Sequence, residues 1–201
     1  MLLFVGRIEP LKGVETLLRA VALLLEQGIC DCETLCLSII GGDADDSPAT
    51  QNAEMERLKA LREELGLAEL VTFLGKQDQD ALPDYYAAAE AVIMPSRYES
   101  FGMVALEAMA CGTPVIASEV GGLAFLVRDG ETGFHVPDRD PEALADRICR
   151  ILTEPMLRAE LGEQAAAYAR GYAWPLIAEK IIGVYESVRV GRGDGKGATN
   201  S

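Results

Sequence analysis

The chain has 201 residues, 49% of them hydrophobic and 25% charged, and a formal net charge of −14. That length holds one well-cored globular domain without disulfides or metals. The negative balance excludes nucleic acid, whose phosphates demand a basic surface, so any anionic ligand must be caught by a local arrangement of groups. No apolar run reaches the length of a membrane span, and the opening "MLLFVG" is too short for a signal peptide and lacks a cationic start. The expectation is a cytoplasmic protein with no transmembrane segment.

The pattern predicts a strand over 2–6 and a helix over 14–27, joined by "GRIEPLKG". Arg7 and Lys12 fall in this strand-to-helix loop, beginning at Gly6. Two cations there suit a diphosphate, because arginine can bind two oxygens at once. The competing reading leaves both solvated and paired with Glu9 or Glu15. Neither a Walker loop nor a G-x-G-x-x-G fingerprint is present, so a nicotinamide or flavin cofactor is not expected.

Next come Cys30, Cys32 and Cys36, close enough to raise the question of zinc. No fourth ligand lies nearby, the single histidine is His135, and five cysteines in all read better as free thiols than as a metal site. After a strand over 35–42, Gly41 and Gly42 would let the backbone approach a nucleotide. The following "DADDSPATQNAE", with Asp43 and Asp45, reads as a solvated loop rather than a metal holder. A helix over 53–65, a strand over 70–75, a helix over 81–88 and a strand over 91–96 follow. Tyr85 and Tyr86 read as ordinary helix packing.

The stretch "ESFGMVALEAMACGTPVIAS" predicts a helix over 101–111 and a strand over 114–118. Ser100 is the expected N-cap, which leaves the N–H groups of Phe101, Gly102 and Met103 free at the positive end of the helix. Gly102 lets a phosphate come close. The helix is apolar on all sides apart from Glu107, so it should be buried. A buried carboxylate is costly without a hydrogen-bond partner. Glu107 lies seven positions after Ser100, on nearly the same helical face, while Glu99 stands at the entrance. Two carboxylates flanking an anion site suit hydroxyls on either side of a diphosphate. A nucleoside-diphosphate sugar is such a ligand, with Glu107 on its ribose. The alternative is that Glu107 caps a loop amide or pairs with Arg97 or Arg128.

A strand over 133–136 and helical segments over 141–152, 155–172 and 174–190 close the domain, and 191–201 reads as a disordered tail. Apolar strands alternating with helices give an α/β fold, a Rossmann-like doubly wound parallel sheet with closing C-terminal helices.

The segments "GRIEPLKG", "ESFGMVALE" and "EAMACGTPVIASEVGG", with "VRDGETGFHV", closely resemble the retaining group 1 glycosyltransferases of the GT-B fold, the family that includes sucrose-phosphate synthases and mycothiol-pathway glycosyltransferases. The resemblance runs from residue 2 to about 188 and implies the C-terminal, donor-binding half of that fold. It implies that Arg7 and Lys12 bind the diphosphate and stabilise the departing nucleotide. Glu99 would contact the transferred sugar and Glu107 the ribose. Amides around Gly102 and Met103 would face the β-phosphate, and the base would lie near Lys76 and Gln77. The donor would be a nucleoside-diphosphate sugar, most simply a UDP-sugar, with front-face attack and no cofactor or metal. The family's N-terminal domain, which supplies the acceptor site and a catalytic histidine, has no counterpart here, and His135 does not match that role. The chain is then expected to be inactive alone. The alternatives are a GT-B-like epimerase or phosphorylase, and a nucleotide-sugar-binding or interaction module without catalysis.

Overall fold

The computed structural model describes residues 1–28, 35–42 and 48–193. Six parallel strands form one sheet in the order β3-β2-β1-β4-β5-β6. The strands are β1 (Leu2–Val5), β2 (Leu37–Ile40), β3 (Val71–Gly75), β4 (Ala91–Met94), β5 (Val115–Ser118) and β6 (Gly133–Val136). The helices are α1 (Val14–Glu26), α2 (Pro48–Glu64), α3 (Leu82–Ala88), α4 (Met103–Ala110), α5 (Leu123–Leu126), α6 (Pro141–Thr153), α7 (Pro155–Ala169) and α8 (Trp174–Gly193). The doubly wound α/β fold expected from the sequence is therefore present.

Alternation along β1 shows why its residues form a doubly covered strand. Leu2 and Phe4 pack with Leu17 and Val21 of α1 and Ile148 of α6. Leu3 and Val5 point the other way, against Ala105 and Met109 of α4. Successive strand side chains face opposite sides, so only an apolar run can be buried on both. Helix α6 begins where Asp140 accepts the Ala143 N–H at 2.8 Å, with Pro141 in the first turn.

The chain departs from the sequence reading in five places. Helix α2 begins at Pro48 rather than 53, inside the stretch expected as a loop, where proline's fixed φ suits a first helical turn. A short helix, α5, stands where no element was expected. Helix α7 ends at Ala169 and tightens into a 3-10 turn over Arg170–Tyr172. Helix α8 runs to Gly193, past Gly191 where a tail was expected, because a single glycine costs a helix only about 1 kcal/mol. Helix α4 starts at Met103 rather than 101 and is not buried all round, since Met103 is 52% exposed. Cys30, Cys32, Asp43, Asp45 and residues 194–201 lie outside the described residues.

Helix α8 exposes much of its apolar surface. Trp174 is 78% exposed and Tyr185 68%, with Ile181, Ile182 and Val184 also open. No described helix is long and apolar enough to cross a membrane. Exposed apolar surface of this extent drives association in water. Sedimentation of the chain over a range of concentrations should show concentration-dependent self-association, reduced by paired Ile181→Lys and Tyr185→Lys substitutions. A monomer at every concentration would refute this.

Candidate functional site

The strand order changes direction between β1 and β4, and ligands of open α/β sheets bind beyond the carboxyl ends of strands at such a point. A cleft of about 240 Å³ opens there, and its lining includes Gly6, Arg7, Lys12, Glu99, Gly102 and Met103. Phe101 borders it too, 40% exposed and edge-on to the Tyr172 ring with centroids 6.1 Å apart. Seven of the ten residues singled out from the sequence thus meet in one place.

Lys12 Nζ donates to Glu99 Oε2 at 2.6 Å, with the two side chains 17% and 15% exposed. Arg7 pairs with Glu9 at 2.8 Å in a more open position. So the expected Glu9 pairing holds for Arg7. Glu15 instead binds Arg19 and Arg57. An exposed ion pair is worth little and is easily exchanged for a better anion, whereas the sheltered Lys12–Glu99 pair is a real competitor for a ligand.

Close backbone packing builds the walls. Gly13 has φ +71, and a Cβ on it would lie 1.9 Å from the Pro95 carbonyl oxygen. The loop after β1 therefore rests directly on the loop after β4, and the Arg97 N–H donates to the Leu11 carbonyl at 2.8 Å. On the other side, a Cβ on Gly121 would lie 2.0 Å from the Glu99 carbonyl oxygen, and one on Gly122 2.4 Å from Phe101 Cα. The Gly122 N–H donates to the Glu99 carbonyl at 2.9 Å. These contacts deliver the chain to Gly102 with φ +97, so Gly102 is the N-cap in place of Ser100. No side chain caps this end, and first-turn amides have no intrahelical carbonyl to donate to. They remain available to an anion.

Glu107 stands one turn further along α4. It lines a neighbouring cleft of about 360 Å³, between α4 and the end of α7, whose lining includes Leu106, Ala166 and Arg170. The two clefts share Met103. Glu107 is half-buried and accepts the Tyr86 hydroxyl at 2.8 Å on Oε2. It pairs with neither Arg97 nor Arg128. Arg128 lies over the Tyr168 ring at 4.2 Å and pairs with Glu131. Burial, then the Glu107 carboxylate, pushes the Tyr86 hydroxyl far above the usual phenol range. The same two causes, in that order, push the Cys111 thiol up, which argues against a thiolate nucleophile there.

Lys76 and Gln77 border neither cleft. They follow β3, the edge strand, and Lys76 packs toward Gly42, where a Cβ would come 3.0 Å from Lys76 Cγ. The Gln77 side-chain amide donates to the Leu74 carbonyl at 2.8 Å. Gly41 has a packing role: a Cβ there would lie 1.7 Å from the Gly6 carbonyl oxygen. His135 sits on β6 with its Nε2 3.4 Å from the Leu123 carbonyl. Among the described residues no cluster of acidic, histidine and cysteine side chains could hold a metal ion.

The doubly wound sheet matches solved structures of GT-B glycosyltransferases, which gives the class of the chain. Sucrose-phosphate synthase from Thermosynechococcus elongatus superposes with a TM-score of 0.82 at 40% identity, over 94% of this chain and 45% of that one. HepE of Anabaena, in complex with UDP and glucose, gives 0.79 at 26%, over 92% and 48%. The sequence profile of the glycosyl transferases group 1 family matches residues 1–168, and the chain belongs to that family. A D-inositol 3-phosphate glycosyltransferase from Acidothermus cellulolyticus is 45% identical over 185 residues, 92% of this chain and 40% of the relative. The chain thus spans less than half the length of these relatives.

Tyr86, Gly13, Gly121 and Gly122 were not singled out as site residues from sequence. The glycines carried a signal, being adjacent to the site motifs. Tyr86 carried none, because nothing in the spacing shows where a buried phenol points.

Proposed function

We propose that the chain is the donor-binding half of a retaining glycosyltransferase that uses a nucleoside-diphosphate sugar, a UDP-sugar by preference, and that it transfers sugar only with an acceptor-binding partner domain. The observation that carries this reading is the convergence of Arg7, Lys12, Glu99 and the uncapped start of α4 in one cleft at the sheet crossover. Bond cleavage between sugar and diphosphate leaves negative charge on the β-phosphate. Once Lys12 has turned from Glu99, two cations and the oriented amides of Gly102 and Met103 can stabilise that charge electrostatically. This arrangement calls for no metal or organic cofactor to neutralise the leaving group.

In this reading Glu99 accepts hydroxyls of the transferred sugar once Lys12 turns to the phosphate. Glu107 accepts the ribose hydroxyls, and the backbone around Lys76 and Gln77 meets the base. The UDP and glucose bound to the related HepE favour uracil over other bases. A non-catalytic nucleotide-sugar-binding module is the second reading, since the residues of the cleft account for donor binding by themselves, and transfer is what separates the two.

Calorimetric titration of UDP, GDP and ADP into the chain tests the donor site, with Glu107→Ala beside it. UDP is expected to bind best, and Glu107→Ala to weaken it by about tenfold or more, the scale of a lost hydrogen bond to a charged group. Failure of all three nucleotides to bind would withdraw the donor-site reading. Sugar transfer from UDP-sugars by this chain alone would refute the need for a partner domain.

A further inference from the structure

We propose that Tyr86 is a positioning residue for nucleotide recognition, holding the Glu107 carboxylate so that one of its oxygens is presented to the ribose. The inference rests on the reading that Glu107 binds the ribose hydroxyls.

Tyr86 is 1% exposed, its ring enclosed by apolar residues of β4 and α4. A buried phenol needs a hydrogen-bond partner for its hydroxyl. Here that partner is Glu107 Oε2 at 2.8 Å. The anchor is itself fixed, because the Thr113 hydroxyl donates to the Tyr86 carbonyl at 2.6 Å and ties the end of α3 to the approach to β5. A half-buried glutamate without such a partner would turn about three side-chain bonds and lose that freedom on binding. With Oε2 held from the core side, Oε1 has no hydrogen-bond partner among the described residues and belongs to the side chain that lines the neighbouring cleft. The phenol is a donor to the carboxylate and, being held far above its usual range, stays protonated across ordinary pH. Glu107 is therefore kept as an acceptor for hydroxyl donors, the property that a ribose diol requires.

The test is a set of titrations with UDP and with 2′,3′-dideoxy-UDP into the chain and its Tyr86→Phe, Glu107→Ala and doubly substituted forms. Tyr86→Phe keeps the ring and removes only the hydroxyl. It should weaken UDP about three- to tenfold, leave dideoxy-UDP unchanged, and add nothing to Glu107→Ala. Equal weakening of both ligands would mean a merely structural effect and overturn the inference. So would full affinity for UDP, or a loss that adds completely in the double variant. If Glu107→Ala itself leaves UDP binding intact, or UDP does not bind the unsubstituted chain, the ribose reading fails and the inference falls with it.

Discussion

Lys12→Ala is expected to weaken UDP binding by about ten- to a hundredfold, while Glu99→Gln strengthens it. Both signs follow from the ion pair between Lys12 Nζ and Glu99 Oε2, 2.6 Å apart and mostly sheltered from solvent. Removing Lys12 subtracts a charge-assisted hydrogen bond to phosphate. It also leaves the Glu99 carboxylate facing the incoming diphosphate, so the two losses share a sign. Removing the charge of Glu99 does the reverse, because Lys12 no longer has to leave a carboxylate to meet a phosphate. Transfer should nevertheless fall in Glu99→Gln when a partner domain is supplied, since an amide is a poorer acceptor for the sugar's hydroxyls than a carboxylate. Each single variant leaves a mostly sheltered charge without its partner. Thermal melting should therefore drop in both and recover partly when Lys12→Ala and Glu99→Gln are combined. Titration calorimetry reads the binding arm, and weaker UDP binding by Glu99→Gln would refute the competition argument.

Gly13→Ala should destabilise the chain by about 2–5 kcal/mol, the cost of a left-handed alanine plus that of overpacking. For a chain of this size that lowers the melting temperature by about 5–20 °C. A Cβ placed 1.9 Å from the Pro95 carbonyl oxygen cannot be tolerated, and the loops after β1 and β4 must part. Gly66 supplies the control. It has φ +68, close to the +71 of Gly13, but nothing lies within 4 Å of its added Cβ. Gly66→Ala should therefore show the backbone cost alone, about 1–2 kcal/mol. The parted loops also carry Lys12 and the Arg97–Leu11 hydrogen bond, so Gly13→Ala should bind UDP more weakly at a temperature where it is still folded. Equal melting shifts for the two variants would show that loop contact contributes nothing.

These two results probe the parts of the site that differ most in how far they could be read in advance. The strands and the long helices were legible because their signals are local. Leu2 to Val5 are apolar throughout, as a doubly covered strand must be, and Asp140-Pro141 marks a helix start by side-chain capping. The loop cations Arg7 and Lys12 and the carboxylate Glu99 were legible by type and spacing, since charged groups after neighbouring strands converge on the carboxyl edge of a parallel sheet. The start of α4 was misplaced by two residues. Its position depends on Gly121 and Gly122 pressing on Glu99 to Phe101 from another loop, which no window around Ser100 contains.

The doubly wound class and the residues that gather at the crossover follow from the amino-acid sequence alone, because periodicity and charge spacing are properties of neighbours along the chain, and the family follows from the resemblance of its motifs. Only the tertiary structure decided which partner each charge takes. Lys12 meets Glu99 across 87 positions and Tyr86 meets Glu107 across 21. It also separated Glu107 into its own cleft and left Lys76 and Gln77 outside both. Pairing depends on distances of a few ångströms between loops that fold together from distant positions, and hydrogen bonds lose their strength steeply beyond that range.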